Sequence, residues 1–184
     1  MYSEGRVYES APKLCSMVLD KASIRPFGSV TQFLGKVGQY IFIEIDEGDC
    51  TFRSISDSNQ CFGSCTYDRA FFGKFVPPKA PIRCKISVKC FIAAFRNLRH
   101  VTSIELSFSK GVESTLLFKL FSQMGIVKKY KFCIEQCEIL EAVFDTKTCL
   151  NKLVSTPQKL SRVLGHMHGS VEVAMEITRN HVRM

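Results

Sequence analysis

Alternation of apolar and polar residues predicts strands along much of the chain. Every second residue is apolar in Thr102–Phe108 and in Leu116–Leu120, and a similar alternation marks Ile126–Ile134. A period of two is typical of strands that bury one face and expose the other. Further strands are predicted at Leu14–Leu19, Tyr40–Ile45, Cys50–Ser56, Gln60–Tyr67, Ile82–Lys85, Lys152–Val154 and Val171–Ile177.

Three segments instead have apolar residues three and four positions apart, which is typical of amphipathic helices. The first begins near Ser23, which is a candidate N-terminal cap, and ends at Gly38. The second follows an apolar stripe from Val88 to Leu98, and the third covers Pro157–Leu164. Strands joined by hairpin turns, with a few helices between them, predict an α+β fold.

An internal similarity predicts the domain organisation. Leu34-Gly35 and Leu164-Gly165 both end a helical pattern, and each is followed by an alternating strand that ends in Glu-Ile. Their separation is the length of a domain rather than of a solenoid repeat, although chance similarity is the alternative. We therefore predict an extra N-terminal segment (1–13), a first domain (14–134), a connector (135–150) and the beginning of an incomplete second domain (151–184).

Composition excludes whole-chain disorder and a membrane-spanning helix. Hydrophobic residues make up 46% of the chain, which is enough for a core. No apolar run approaches the roughly 20 residues that a membrane helix needs. The first 13 residues lack the apolar stretch of a secretory signal. The nine cysteines are therefore expected to be thiols, mostly small buried residues on strands.

Positive charge is concentrated on the predicted helices. Lys and Arg outnumber Asp and Glu by 25 to 17, and no carboxylate occurs in residues 21–39, 79–101 or 147–169. A cationic helix face without acids suits DNA phosphates, which are bound through charge without reading the bases. An ordinary solvated helix face is the alternative. The candidate DNA-binding residues are Lys21, Arg25, Lys36, Lys89, Arg96, Arg99, Lys159 and Arg162.

No group of residues indicates catalysis, a metal site or a cofactor site. Asp46, Glu47 and Asp49 fit a hairpin turn, and His166 and His168 fit a turn between a helix and a strand. The sequence therefore predicts a protein that is not an enzyme and holds neither metal nor cofactor. A metal-dependent nuclease that acts through Asp46 and Asp49 is retained as a minor hypothesis.

Several stretches resemble the Rad-nine family of checkpoint sliding-clamp subunits. The most specific are Pro81–Lys85 running into Phe91–Leu98, and Glu138–Asp145. Further matches are Leu34–Gly38, Phe52–Ser58 and Ala70–Phe72. The resemblance extends from about Leu14 to about Thr178.

The family is similar to proliferating cell nuclear antigen (PCNA). The resemblance implies a sliding-clamp fold (the DNA clamp), with antiparallel sheets and helices on one side of them. It implies a non-catalytic nuclear subunit of the heterotrimeric nine-one-one clamp, which encircles double-stranded DNA, signals DNA damage and supports repair. The implied partners are two related clamp subunits, a clamp loader and the DNA backbone, without a membrane.

The resemblance also implies two partner-binding surfaces. The basic helix faces would line the DNA channel, the strand at Ile126–Ile134 would pair with a neighbouring subunit, and partner peptides would dock beside the connector. The implied partner-binding residues are Ile126, Lys128, Tyr130, Phe132, Leu140, Val143 and Phe144. The alternative function is a β-rich protein-interaction module, a fragment or splice form that makes no DNA contact.

Overall fold

A computed structural model of the chain describes residues 12–96, 98–110, 114–138, 141–143, 145–169, 172–178 and 181–183. They belong to two units, which divide between Glu141 and Ala142. This division falls inside the segment predicted as a connector, and the predicted domain boundaries stay predictions. No helix in the described ranges is long and apolar enough to cross a membrane.

Two antiparallel sheets of five strands each form most of the first unit. In chain order the strands are β1 (Lys13–Asp20), β2 (Tyr40–Ile45), β3 (Asp49–Ile55), β4 (Phe62–Asp68), β5 (Lys74–Val76), β6 (Ile82–Ser87), β7 (Val101–Lys110), β8 (Ser114–Ser122), β9 (Val127–Cys133) and β10 (Glu135–Gln136). The helices are α1 (Lys21–Val37) and α2 (Val88–Ala93). The strand orders are β5-β1-β7-β8-β9 and β10-β6-β2-β3-β4, so β9 and β4 are edge strands.

An aromatic core joins the two helices to both sheets. The ring centroid of Phe27, on α1, is 5.3 Å from that of Phe52 on β3. Phe91, on α2, lies 6.1 Å from Phe52 and 5.1 Å from Phe118 on β8. All four rings are buried, and full burial of one such side chain stabilises by roughly 1.5–3 kcal/mol. This packing holds the apolar stripe of each helix against the sheets.

Most predicted elements before residue 135 are confirmed. The strand at Tyr40–Ile45 has the predicted ends, and the turn after it is closed by a 3.1 Å hydrogen bond from the Asp46 N–H to the Asp49 carbonyl. Gly38 ends α1 as predicted. The predicted cap is wrong, because α1 begins at Lys21 and the Ser23 hydroxyl donates to the Phe71 carbonyl at 2.9 Å instead.

The predicted length of the second helix is also wrong. It ends at Ala93 rather than at Leu98. Beyond Ala93 the N–H groups of Ala94 and Phe95 donate three residues back, to the carbonyls of Phe91 and Ile92, so the chain tightens into turns. The residues after Ala93 therefore do not continue the face that Lys89 occupies.

The second unit contains α3 (Pro157–Gly165), β11 (Glu176–Ile177) and β12 (Val182–Arg183). The third helix is confirmed, but the strand predicted at Lys152–Val154 is wrong, and the one predicted at Val171–Ile177 is reduced to its last two described residues. A strand needs a neighbour for its backbone hydrogen bonds. Within the described part of this unit, β12 is the only strand that pairs with β11.

Fewer cysteines are buried than predicted. Of the nine, all of which lie in the described ranges, only Cys15, Cys50 and Cys84 are fully buried. Burial raises the pKa of Cys15 and of Cys84 to about 12. The exposed thiols include Cys61, Cys90 and Cys149.

Acidic residues on the outer faces of the two sheets are paired with cations of the same sheets. Glu105 of β7 accepts hydrogen bonds from Lys13 Nζ (2.7 Å), the Ser107 hydroxyl (3.1 Å) and Lys119 Nζ (3.3 Å). Glu44 of β2 accepts them from Arg53 (2.7 Å) and Arg83 (3.3 Å). The bond from Lys13 is the main cause that lowers the pKa of Glu105 to about 2.

Gly38→Ala should destabilise the first unit, because a Cβ at this position would overlap the carbonyl oxygen of Ile55. Forcing extra volume into a packed site costs about 1–3 kcal/mol, and a backbone atom cannot rotate away. Urea unfolding should show this loss for Gly38→Ala. Gly48→Ala is the matched control, since a Cβ there meets no atom within 4 Å. Equal stability of the two variants would contradict the packing described.

Thiol labelling of the folded chain should separate the cysteines by burial. A thiol reagent should modify Cys61, Cys90 and Cys149 rapidly at neutral pH, because they are exposed. Cys15, Cys50 and Cys84 should react only on unfolding, because they are shielded and their raised pKa keeps them protonated. Mass spectrometry of labelled peptides measures this. Fast labelling of Cys50 in the folded protein would show that the core is more open than described.

Glu105→Gln should reduce stability at pH 7, because it removes the ion pairs with Lys13 and Lys119. The lowered pKa of Glu105 means that its contribution is present above about pH 4.5 and is lost as the pH falls toward 2. The gap in unfolding free energy between wild type and variant should therefore narrow below pH 4.5. Glu47→Gln, in the exposed turn after β2, should show little effect at any pH. A gap for Glu105→Gln that does not change with pH would refute the assignment.

Candidate nucleic-acid and partner interfaces

One exposed face of α1 carries three of the predicted DNA-binding cations. Lys21, Arg25 and Lys36 fall within about 60° of the helix circumference at 3.6 residues per turn. Ser29 and Gln32 lie between them and are also exposed, whereas the buried residues of α1 occupy the other side. The sequence prediction of an acid-free, exposed cationic face is confirmed for α1.

Phe33 borders this face and is 57% exposed. Its neighbour Leu34 takes the core position of the apolar stripe, with no exposed surface. The spacing of apolar residues could not separate these neighbours, because both fit the same stripe.

Lys89 is the exposed cation of α2, and the two helices pack side by side. A Cβ on Gly28 would contact Phe95, just beyond α2, and a Cβ on Gly35 would meet Val88 at the start of α2. The contacts run in opposite order along the two helices, so the helices are antiparallel. Lys36 and Lys89 therefore lie toward the same end of the pair.

In the described ranges, the cations of the helices lack the carboxylate partners that five cations of the sheets have. Within the described ranges, none of the eight predicted DNA-binding residues forms an ion pair with a carboxylate. The carboxylates of Glu44, Glu105 and Glu135 are engaged by sheet cations instead. Positive charge on the helix side is thus left available for an anionic ligand.

Arg96 and Arg99 lie in the turns between α2 and β7, not on a helix face as predicted. They line a pocket of about 630 Å³ together with Ile126, which is in the β8–β9 turn, and Lys128, which is in β9. The structure thus brings two residues predicted to bind DNA together with two predicted to bind a partner. Sequence reasoning did not select the other lining residues, which are Leu98, His100, Val101, Leu120, Ser122 and Met124.

The predicted partner-binding strand is β9, at the edge of its sheet. The ring centroid of Phe132 is 5.5 Å from that of Phe118 and 6.3 Å from that of Tyr130, on which it stacks. Both β9 rings therefore pack against the core of this unit. Lys128 is exposed, and Ile126 just before the strand is 54% exposed. The edge backbone of β9 and the side chains of Ile126 and Lys128 are therefore open to a partner.

Other predicted site residues lie in the second unit or outside the described residues. Lys159 and Arg162 are exposed, three residues apart on one side of α3. Val143 is 93% exposed. Leu140 and Phe144 lie outside the described residues.

Candidate metal ligands are not gathered into a site in the described part of the chain. No group of three or more His, Cys, Asp or Glu residues is placed to hold a metal ion there. Asp46 and Asp49 are the ends of the β2–β3 turn, joined through their backbone.

Two solved structures share the fold. PCNA from Thermococcus kodakaraensis aligns with a TM-score of 0.53 and 18% identity, covering 78% of this chain and 52% of that chain. Proliferating Cellular Nuclear Antigen from Entamoeba histolytica aligns with a TM-score of 0.58 and 12% identity, covering 73% and 51%. The predicted α+β sliding-clamp fold, with antiparallel sheets and few helices, is therefore confirmed.

Sequence comparison identifies relatives among checkpoint and repair proteins. "Cell cycle checkpoint control protein Rad9" of Drosophila melanogaster is 36% identical over 90 residues, which is 48% of this chain and 20% of that protein. "DNA repair protein rad9" of Schizosaccharomyces octosporus is 22% identical over 84% of this chain and 44% of its own length. The Schizosaccharomyces pombe protein of the same name is 22% identical over 80% and 43%.

The chain thus spans less than half the length of the relatives that it matches. The Rad9 family model matches residues 27–184, which is most of the sequence. The predicted family resemblance is confirmed, and this chain belongs to the Rad9 family.

Proposed function

We propose that this chain is a non-catalytic subunit of a heterotrimeric checkpoint clamp that encircles duplex DNA in the nucleus. Its family membership and its sliding-clamp fold support a clamp subunit. The names of its relatives refer to checkpoint control and DNA repair, which supports a role in signalling damage and aiding repair. The role is topological, because a closed ring stays on DNA without a chemical step.

The separation of charge is the observation that carries the DNA-binding part of the proposal. Lys21, Arg25 and Lys36 form an exposed row on α1, and Lys89 lies on the adjacent antiparallel helix. None of the four is neutralised by a carboxylate in the described ranges, whereas the sheet cations Lys13 and Arg53 are. The cations of the helix pair contact phosphates, and those of α3 do the same from the second unit.

Contacts of this kind permit sliding. Lys and Arg neutralise phosphates through charge, and phosphate contacts carry no sequence information. The ring therefore holds any duplex sequence and moves along it.

Partner contacts follow from the open edge and the connector. In the described ranges β9 has a strand neighbour, β8, on one side only. The outer edge of such a strand is a template for a strand of another chain, so β9 pairs with one of the two related subunits. Exposed Val143, with Leu140 and Phe144, docks partner peptides beside the connector. A closed ring cannot thread onto continuous duplex by itself, so a clamp loader opens it.

The DNA contact predicts a specific effect of reversing three helix charges. The chain is co-expressed with the two related clamp subunits, and the complex is titrated with fluorescent duplex DNA. Arg25→Glu/Lys36→Glu/Lys89→Glu should weaken binding at least tenfold at low salt, since three phosphate contacts become repulsive. The slope of log affinity against log salt should shrink by about three units, because each phosphate contact contributes about 0.9.

Lys79→Glu is the matched control for a change of charge alone. Lys79 is exposed in the loop between β5 and β6, so its reversal should leave the salt slope unchanged. Equal DNA binding by the triple variant and wild type would refute the proposed helix face. A wild-type complex without DNA affinity would favour the protein-interaction module instead.

A further inference from the structure

Thr156 is the only serine or threonine of the chain that is followed directly by a proline. The other five prolines follow alanine, arginine, valine or another proline. Lys159 comes three positions after Thr156, which gives the tetrapeptide Thr156-Pro157-Gln158-Lys159. A proline at this place has no N–H and keeps the preceding residue extended. Proline-directed protein kinases select a Ser or Thr in this setting, and a basic residue three positions later adds to their recognition.

The segment that carries this tetrapeptide is accessible. Residues 151–156 form neither helix nor strand, and all residues from 151 to 166 are exposed. Thr156 is extended, with a φ of −71° and a ψ of 144°, and its side chain caps none of the N–H groups of α3. A kinase cleft binds a short extended stretch of its substrate. The Thr156 hydroxyl can therefore be reached without unfolding the chain.

A phosphate on Thr156 would lie next to the cations of α3. Thr156 directly precedes the first residue of α3, and Lys159 is the third residue of that helix. Side chains at these two positions can meet, as they do in a capping box. Arg162 is three residues further along on the same side of α3. Neither cation forms an ion pair in the described ranges, and no carboxylate occurs in residues 147–169.

The phosphate would offset the charge that the proposed function uses on α3. A phosphothreonine carries about −1.5 to −2 charges at pH 7, which is close to the combined positive charge of Lys159 and Arg162. The Lys159 ammonium would donate charge-assisted hydrogen bonds to it. Because a negative charge is favourable at the start of a helix, the modification should leave α3 folded.

We propose that Thr156 is a phosphorylation site for a proline-directed protein kinase, and that its phosphate weakens the contact of α3 with DNA. The Thr156 Oγ1 attacks the γ-phosphorus of ATP, and an oxygen–phosphorus bond forms there. The bond from the γ-phosphorus to the oxygen that bridges it to the β-phosphate breaks, ADP leaves, and the hydroxyl proton passes to the catalytic Asp of the kinase. The effect on DNA rests on the proposed function and gives it a means of regulation.

The first test asks whether the folded chain is modified at Thr156. The complex with the two related clamp subunits is incubated with ATP and a cyclin-dependent kinase, and the phosphorylated peptides of this chain are identified by mass spectrometry. Wild type should carry phosphate at Thr156. Pro157→Ala, which keeps the hydroxyl, should be modified there at least tenfold more slowly. Gln158→Ala is the matched control and should be modified like wild type.

The second test measures what the phosphate does to DNA binding. The phosphorylated complex should bind fluorescent duplex DNA at least fivefold more weakly at low salt. The slope of log affinity against log salt should shrink by about two units, because each lost phosphate contact contributes about 0.9. Unmodified Lys159→Gln/Arg162→Gln should show the same smaller slope. Thr156→Val treated with the kinase should bind like its untreated form, which controls for phosphates elsewhere in the complex.

The outcomes separate this inference from the proposed function. A folded wild-type chain that takes no phosphate at Thr156 overturns the site. Phosphate at Thr156 with unchanged affinity and salt slope overturns its effect on DNA, whereas the proposed function stands if Lys159→Gln/Arg162→Gln still weakens binding. An unmodified wild-type complex without DNA affinity overturns the proposed DNA contact and its regulation, and the mass measurement still decides whether Thr156 is modified.

Discussion

The packing of Phe27 and Phe91 against Phe52 and Phe118 is the interaction on which the rest of the first unit depends. These rings lie where the two helices meet the two sheets, with centroids 5.1–6.1 Å apart along the chain of contacts. Because the rings are buried, neither helix can rotate about its axis without exposing one of them. The same contacts that build the core therefore decide which side chains of α1 and α2 face water.

This constraint places the basic residues of the helices on the side that faces water. The helices lack acids, so the side that the core leaves exposed is cationic. Glu44 and Glu105, on the outer faces of the sheets, each bind two sheet cations, so four of the sheet cations are neutralised. A surplus of basic residues that would give only weak, diffuse attraction becomes one face suited to a polyanion.

Local patterns predicted the parts of the fold that local rules determine. Strict alternation identified β7 and β8, and Gly38 marked the end of α1. The sequence did not predict where α2 ends, because Phe95 and Leu98 still pack against α1 after the helix has become a turn. The apolar stripe therefore continues beyond the end of the helix.

Elements that depend on distant residues were predicted poorly. The strands expected in the second unit need neighbours for their backbone, which the sequence of a single strand does not reveal. The pocket joins Arg99 and Lys128 from segments separated by two long strands, and only the register of β7 with β8 and of β8 with β9 brings them together. Periodicity placed each of these residues on an element but not beside the other.

The most direct test of the account is photo-crosslinking from single positions of the chain in a complex assembled with the two related subunits on circular duplex DNA. A photo-reactive residue replaces Ser29, on the cationic face of α1, or Lys131, on the opposite face of the sheet that contains β9. The account predicts crosslinks to DNA from position 29 and none from position 131. Crosslinks from position 131, with none from position 29, would contradict it.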